Sequence, residues 1–182
     1  MKKVLLLTGF AVTLFVIQSC KKGADDPFLS LKTRDARIAG EWILKSQELT
    51  ESSTYSYDGI SETESTNSKY DGAIVTETFV SGGETDITTY SYTKKIEIFK
   101  DGSYKIVETA DGSMSTTSGN WWWLNDSKKK TRIAFDDDYG SFDIQMLKSN
   151  EMTWVFSQES TSTSSGVSFT SVFKGNMTFV KS

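Results

Sequence analysis

In several separate runs between Trp42 and Phe179, large apolar side chains return at every second position. Trp42, Leu44 and Ser46 alternate with Ile43, Lys45 and Gln47, and Ile96 and Ile98 flank Glu97. Tyr104 and Ile106 alternate with Lys105 and Val107, and Ile133 and Phe135 flank Ala134. Phe142, Ile144 and Met146 alternate with Asp143, Gln145 and Leu147, and Met152, Trp154 and Phe156 with Thr153, Val155 and Ser157. Val167, Phe169, Ser171 and Phe173 carry the pattern on to Met177 and Phe179. Successive side chains of a strand point to opposite faces, so this period of two predicts half-buried strands. Helical spacing is limited to one short turn expected at residues 35–39.

The punctuation between the runs agrees. Asp101-Gly102 and Asp111-Gly112 are tight-turn pairs, because Asp and Gly tolerate positive φ. Residues 125–129 and 148–150 read as polar turns. Short strands separated by turns every 8–12 residues or so predict an all-β sandwich or barrel. Residues 50–70 are rich in Ser, Thr, Glu and Tyr and read as a long loop or a polar hairpin. Residues 160–166 read as an exposed Ser/Thr-rich connection.

Several function classes are excluded by composition. The chain has no histidine and a single cysteine, Cys20. Ser-His-Asp and Cys-His catalysis are therefore absent, as is the commonest transition-metal ligand. No intrachain disulfide can form, so packing alone must hold the fold. The formal charge of −4 offers no basic stripe for nucleic acid. Neither a cofactor nor a resident metal is expected.

The first twenty residues resemble a secretory signal of the lipoprotein type. Lys2 and Lys3 precede an apolar run from Val4 to Ile17, which ends in Gln18-Ser19-Cys20. That order of charge, apolar core and small residue marks a cleavable segment. The core is shorter than the 20 or so residues that span a bilayer. Ile17-Gln18-Ser19-Cys20 resembles the bacterial lipobox, which implies that residues 1–19 are removed and that Cys20 carries acyl groups. The alternative is an ordinary secretory signal. Loss of Lys2 and Lys3 takes the formal charge from −4 to −6. Residues 20–34 would then be a polar tether, and residues 35–182 one domain. Asp25 and Asp26 follow the cysteine closely, as in some surface-exported lipoproteins. The expected location is the outer membrane of a Gram-negative bacterium, on its periplasmic or cell-surface face.

Within the domain, Gly40-Glu41-Trp42 opens the first run after the helical turn. Ile96-Glu97-Ile98-Phe99-Lys100-Asp101-Gly102-Ser103-Tyr104 follows, then Gly119-Asn120-Trp121, Ile133-Ala134-Phe135 and Phe142-Asp143-Ile144-Gln145-Met146-Leu147 with Glu151-Met152-Thr153-Trp154. In order and spacing this resembles the small bacterial lipocalin-like lipoproteins over about residues 37–180. The resemblance implies an antiparallel up-and-down barrel of about eight strands with an internal apolar cavity. Three adjacent tryptophans at 121–123, and the length and polarity of residues 50–92, depart from the family pattern.

Candidate sites follow from the alternation and the resemblance together. Ile98, Tyr104, Ile106, Trp121, Trp123, Ile144, Met146, Trp154 and Phe156 are expected to face the interior and to contact a small hydrophobic or amphipathic ligand. Gly40 and Trp42 are expected to be structural, with Trp42 plugging one end. Trp122 should face opposite to Trp121 and Trp123. Tyr55, Tyr57, Tyr70, Tyr90 and Tyr92 form a candidate contact surface. Asp136, Asp137, Asp138 and Asp143 read as a solvated turn, as does Lys128-Lys129-Lys130. The leading expectation is a monomeric, non-enzymatic, membrane-anchored binding protein. The alternative is a surface module that binds protein or glycan through Ser/Thr/Tyr-rich segments.

Overall fold

The structure, a computed structural model, describes residues 32–124, 130–136 and 140–182. Cys20, the signal segment, most of the tether, the turn at 125–129, Asp137 and Asp138 lie outside the described residues. One short helix, α1 (Arg34–Ile38), precedes ten strands: β1 (Gly40–Tyr57), β2 (Ile60–Tyr70), β3 (Ile74–Ser81), β4 (Glu84–Ile98), β5 (Ser103–Ala110), β6 (Ser113–Trp123), β7 (Arg132–Phe135), β8 (Gly140–Leu147), β9 (Glu151–Ser164) and β10 (Val167–Lys181). The strands hydrogen-bond in chain order into a closed ring, with β1 between β2 and β10.

The expected count of about eight strands is corrected to ten. The difference lies in residues 50–92, which form regular strands rather than a loop. β1 runs on past Thr50 to Tyr57, and β2 and β3 insert between it and β4. At the opposite end β1 pairs directly with β4, Trp42 against Ile96 and Gly40 against Ile98. The ring therefore has eight strands at the end where the family-like motifs lie, and two more beside the polar extension.

That extension lacks apolar alternation because it projects past the core and is solvated on both faces. Hydroxyl pairs across the strands bind it instead. Thr54 and Thr63 hydroxyl oxygens lie 3.0 Å apart, Ser56 and Ser61 2.7 Å, and Thr161 and Thr170 3.2 Å. Thr63, Thr54, Thr170 and Thr161 form one row across β2, β1, β10 and β9. Residues 160–166, exposed as expected, are the tip of the β9–β10 hairpin. Four two-residue turns, Asp58-Gly59, Gly82-Gly83, Asp111-Gly112 and Ser165-Gly166, have positive φ at both positions. This backbone matches the right-handed twist of the flanking strands.

The core fills the eight-stranded end. Trp42, Leu44, Ile96, Ile98, Tyr104, Ile106, Ile133, Leu147, Met152, Trp154 and Phe179 are essentially inaccessible. α1 closes this end. Thr33 caps it by accepting from the Ala36 amide at 3.2 Å, Ile38 is buried, and Arg37 donates to the Leu147 carbonyl. Trp42 donates from Nε1 to the Ile38 carbonyl at 2.7 Å, tying strand to helix. Gly40, at φ 137°, makes the bend between them, in a region L side chains rarely adopt.

Two β-bulges alter the alternation read from sequence. One lies between Leu44 and Ser46, so Gln47 rather than Ser46 turns inward with Trp42 and Leu44. The other lies between Ile144 and Met146. Leu147 is consequently buried opposite Met152, and Met146 pairs with Thr153 on the outer face. An extra residue in one strand reverses the facing of everything after it. The expectation that Met146 faces the interior is corrected on this ground.

Candidate binding groove on the inner face

β7 has only four residues, and β8 stays with β9 only as far as Asp143 and Val155. Above that level, among the described residues, neither β6 over 113–119 nor β9 over 157–164 has a partner strand on its second edge. The inner face of β1, β2, β3, β4, β9 and β10 is open on this side. Three hollows lie along it. One of about 210 Å³ is lined by Gln47, Leu49, Glu51, Thr66, Ser68, Val75, Glu77, Tyr90, Tyr92 and Phe173. A second of about 300 Å³ shares Glu51 and Phe173 with the first. A third of about 460 Å³, between the splayed β8 and β9, involves Phe142, Phe156, Gln158 and Phe173. Phe173 borders all three, which lie side by side along this face and are together called the groove.

The groove has an aromatic and acidic lining. Phe156 and Phe173 rings lie 4.8 Å apart, and Tyr90 meets Tyr92 edge-on at 6.4 Å. The Tyr90 hydroxyl donates to Glu77 at 3.0 Å and that of Tyr92 to Glu108 at 2.8 Å. Burial first, and then the hydrogen bond to Glu77 and the charge of that carboxylate, push the Tyr90 phenol up to about 12. Burial, and next the charge of Asp71, also raise Tyr70. Tyr90 is a neutral donor throughout the physiological range.

The residues expected to contact a ligand mostly fill the floor beneath this groove. Ile98, Tyr104, Ile106, Trp121, Ile144 and Trp154 are buried, and Trp123 and Phe156 pack against them. Trp154 stacks on Phe142 at 5.0 Å and meets Phe179 at 4.8 Å, while Tyr104 meets Phe135 edge-on at 4.9 Å. Trp121 donates from Nε1 to the Phe99 carbonyl at 2.9 Å. Trp123 donates to Asp35 of α1 at 2.7 Å, and Lys130 reaches the same carboxylate. Trp122 faces outward, 45 % exposed, as the alternation predicts. Of the nine expected contacts, Phe156 alone borders any of the three hollows.

No protein-family model matches this chain, and comparison with curated proteins finds no match. The groove is therefore read from its own chemistry.

The five tyrosines singled out in the sequence separate into three environments. Tyr70 is buried, Tyr90 and Tyr92 border the groove, and Tyr55 and Tyr57 are exposed on the extension. Tyr55 rests on Phe169 at 4.9 Å. Gln47, Glu51, Ser68, Glu77 and Phe173 went unseen as groove residues. The pairing of β1 with β2, and of β2 with β3, brings them together, and no local pattern encodes that. Asp136 is structural: it accepts from the Asn120 amide at 2.7 Å and from its side chain at 2.9 Å. No group of three candidate metal ligands exists among the described residues.

Proposed function

We propose that this chain is a non-enzymatic, lipocalin-like lipoprotein that captures a small amphipathic molecule in the groove beside Phe173. Acyl groups on Cys20 hold it on the outer membrane of a Gram-negative bacterium. The observation that carries this reading is the division of the ring into two parts. One end is packed and closed by α1 and Trp42, and the other presents adjoining open hollows with apolar and polar walls. Pockets of this composition suit ligands that bury an apolar body and orient it through a few polar groups. The absence of histidine supports binding rather than catalysis.

The anchor is tested by Cys20→Ser. The substituted protein should leave the membrane fraction, and its persistence there after a salt wash would refute the anchor. Binding is tested by titrating the protein with fatty acids and retinoids while following tryptophan fluorescence. Saturable change that Phe173→Ala abolishes is the expected result.

A second reading, a module that binds protein or glycan, is favoured by the β9 edge. Residues 157–164 expose backbone donors and acceptors with neither Lys nor Pro to discourage pairing. Pull-down of a partner that survives Phe173→Ala and is lost on Thr161→Pro would support it.

A further inference from the structure

The 210 Å³ hollow contains buried polar groups that the protein itself leaves unused. Gln47 is 9 % exposed and Ser68 8 %, and both line it. Among the described residues neither side chain has a hydrogen-bond partner within the protein, and their polar atoms remain accessible from the hollow. Largely buried amide and hydroxyl groups are normally satisfied by protein, by ordered water or by a molecule that takes the water's place. The bulge between Leu44 and Ser46 is what turns Gln47 inward, so an exposed polar position has become an internal one.

The electrostatics of the hollow are one-sided. Glu51 and Glu77 line it, and no lysine or arginine does. The inward cation two residues beyond Tyr92, Lys94, is already engaged by Glu108 at 2.8 Å. Glu77 accepts one hydrogen bond from Tyr90 and retains further acceptor capacity, since a carboxylate has about four acceptor positions. The rings of Tyr90, Tyr92 and Phe173 complete the walls, and aromatic faces attract cations. At about 30 Å³ per water, the volume of about 210 Å³ corresponds to roughly seven heavy atoms, and the adjoining 300 Å³ hollow, which shares Glu51 and Phe173, takes the rest of a larger body.

We infer that this hollow binds a small organic cation, a primary amine on an aromatic or alkyl body. The ammonium faces Glu51 and Glu77, the Gln47 amide and Ser68 hydroxyl supply further hydrogen bonds, and the body lies against Tyr90, Tyr92 and Phe173. This rests on the binding-protein reading above and specifies the charge of what is bound. An anionic ligand would meet two carboxylates with no counter-charge. A neutral one would leave them uncompensated as it displaced their water.

The test is calorimetric titration of the full-length protein, in non-ionic detergent, with three size-matched probes: tyramine, its neutral alcohol tyrosol and 4-hydroxyphenylacetate. Tyramine should bind saturably, tyrosol about tenfold more weakly or worse, and the acid not at all. Glu77→Gln and Glu51→Gln should each weaken tyramine about tenfold and leave tyrosol unchanged. Phe173→Leu should weaken tyramine and tyrosol alike, which checks that both sit in this hollow. Equal binding of tyramine and tyrosol, or carboxamide variants that bind tyramine as tightly as the parent, would overturn the cationic assignment and leave the binding-protein reading standing. If tyramine does not bind while a fatty acid binds in a Phe173-dependent manner, the same assignment falls alone. Absence of saturable binding by the three probes and by fatty acid or retinoid would overturn both.

Discussion

Lys94 and Glu108 face each other across β4 and β5 on the inner surface of the ring, with Lys94 Nζ 2.8 Å from Glu108 Oε1. Lys94 is 7 % exposed and sits directly above Ile96 on the same face of β4. The pair marks the boundary between the apolar floor and the polar groove. Burial pushes the Glu108 carboxyl up, but the charge of Lys94 and hydrogen bonds from Lys94 and Tyr92 outweigh it and hold the group below the ordinary range.

Glu108→Gln should therefore destabilise the protein by about 1–3 kcal/mol at neutral pH, because it removes the carboxylate that lies against the largely buried Lys94 ammonium. A folded value below the unfolded one means that this stability is present above the ordinary glutamate value of 4.5 and is lost as pH falls through the folded value. Urea denaturation at neutral pH and again below pH ~4 checks both parts: the gap between parent and variant should narrow in acid. A gap that stays constant with pH would show that the carboxylate charge is irrelevant.

Trp42 is inaccessible, donates to Ile38 and lies under Lys181, whose ammonium is 4.9 Å from the ring centroid. Trp42→Ala should cost about 3–5 kcal/mol, from lost burial and the cavity left behind. Chemical denaturation measures it, and a cost below about 1 kcal/mol would remove Trp42 from the framework of the fold.

Gly119 is required by close approach rather than by its backbone angles. A Cβ there would lie 2.0 Å from Asp136 Oδ1 and 3.0 Å from the Tyr104 ring. Gly119→Ala should displace Asp136 from Asn120 and cost about 1–3 kcal/mol. Removing the obstructing carboxylate as well, in Gly119→Ala with Asp136→Ala, should cost less than the sum of the single changes. Strict additivity in that double-mutant cycle would refute the contact.

Tyr90 offers a spectroscopic readout of the groove. Its raised value means that the stability it contributes is intact below the ordinary tyrosine value of 10.0 and is lost as pH rises through about 12. In ultraviolet phenolate titration one late-ionising group should disappear in Tyr90→Phe. In Glu77→Gln the same group should ionise earlier, since the neighbouring negative charge is gone.

The sequence was most legible where each strand has one face in the core. Period two and the Asp-Gly pairs located β5, β6, β8 and β9 and separated Trp122 from its neighbours, because a buried face imposes its pattern on a single chain segment. Residues 50–92 stayed open between a long loop and a polar hairpin for the complementary reason, and the hairpin is what β1 and β2 form. Strands solvated on both faces need no apolar alternation, and their turn pairs Asp58-Gly59 and Gly82-Gly83 were hidden in a polar background. The groove was less legible still: Tyr90 and Tyr92 stood out as aromatic, whereas Gln47, Glu51, Ser68 and Glu77 look like ordinary surface residues in any local window.

By itself, the sequence determined an all-β chain without intrachain disulfides, the inward facing of Trp42 and Trp154, and the exclusion of histidine chemistry. These follow from residue type and local period, which one strand carries alone. Tertiary structure alone decided the strand count, the outward turn of Met146, the inward turn of Gln47 and the placing of Glu51 and Glu77 on one hollow. Each of these depends on register between strands. A single bulge reverses facing downstream, and pairing across β1, β2 and β3 brings into one hollow residues that the chain keeps far apart.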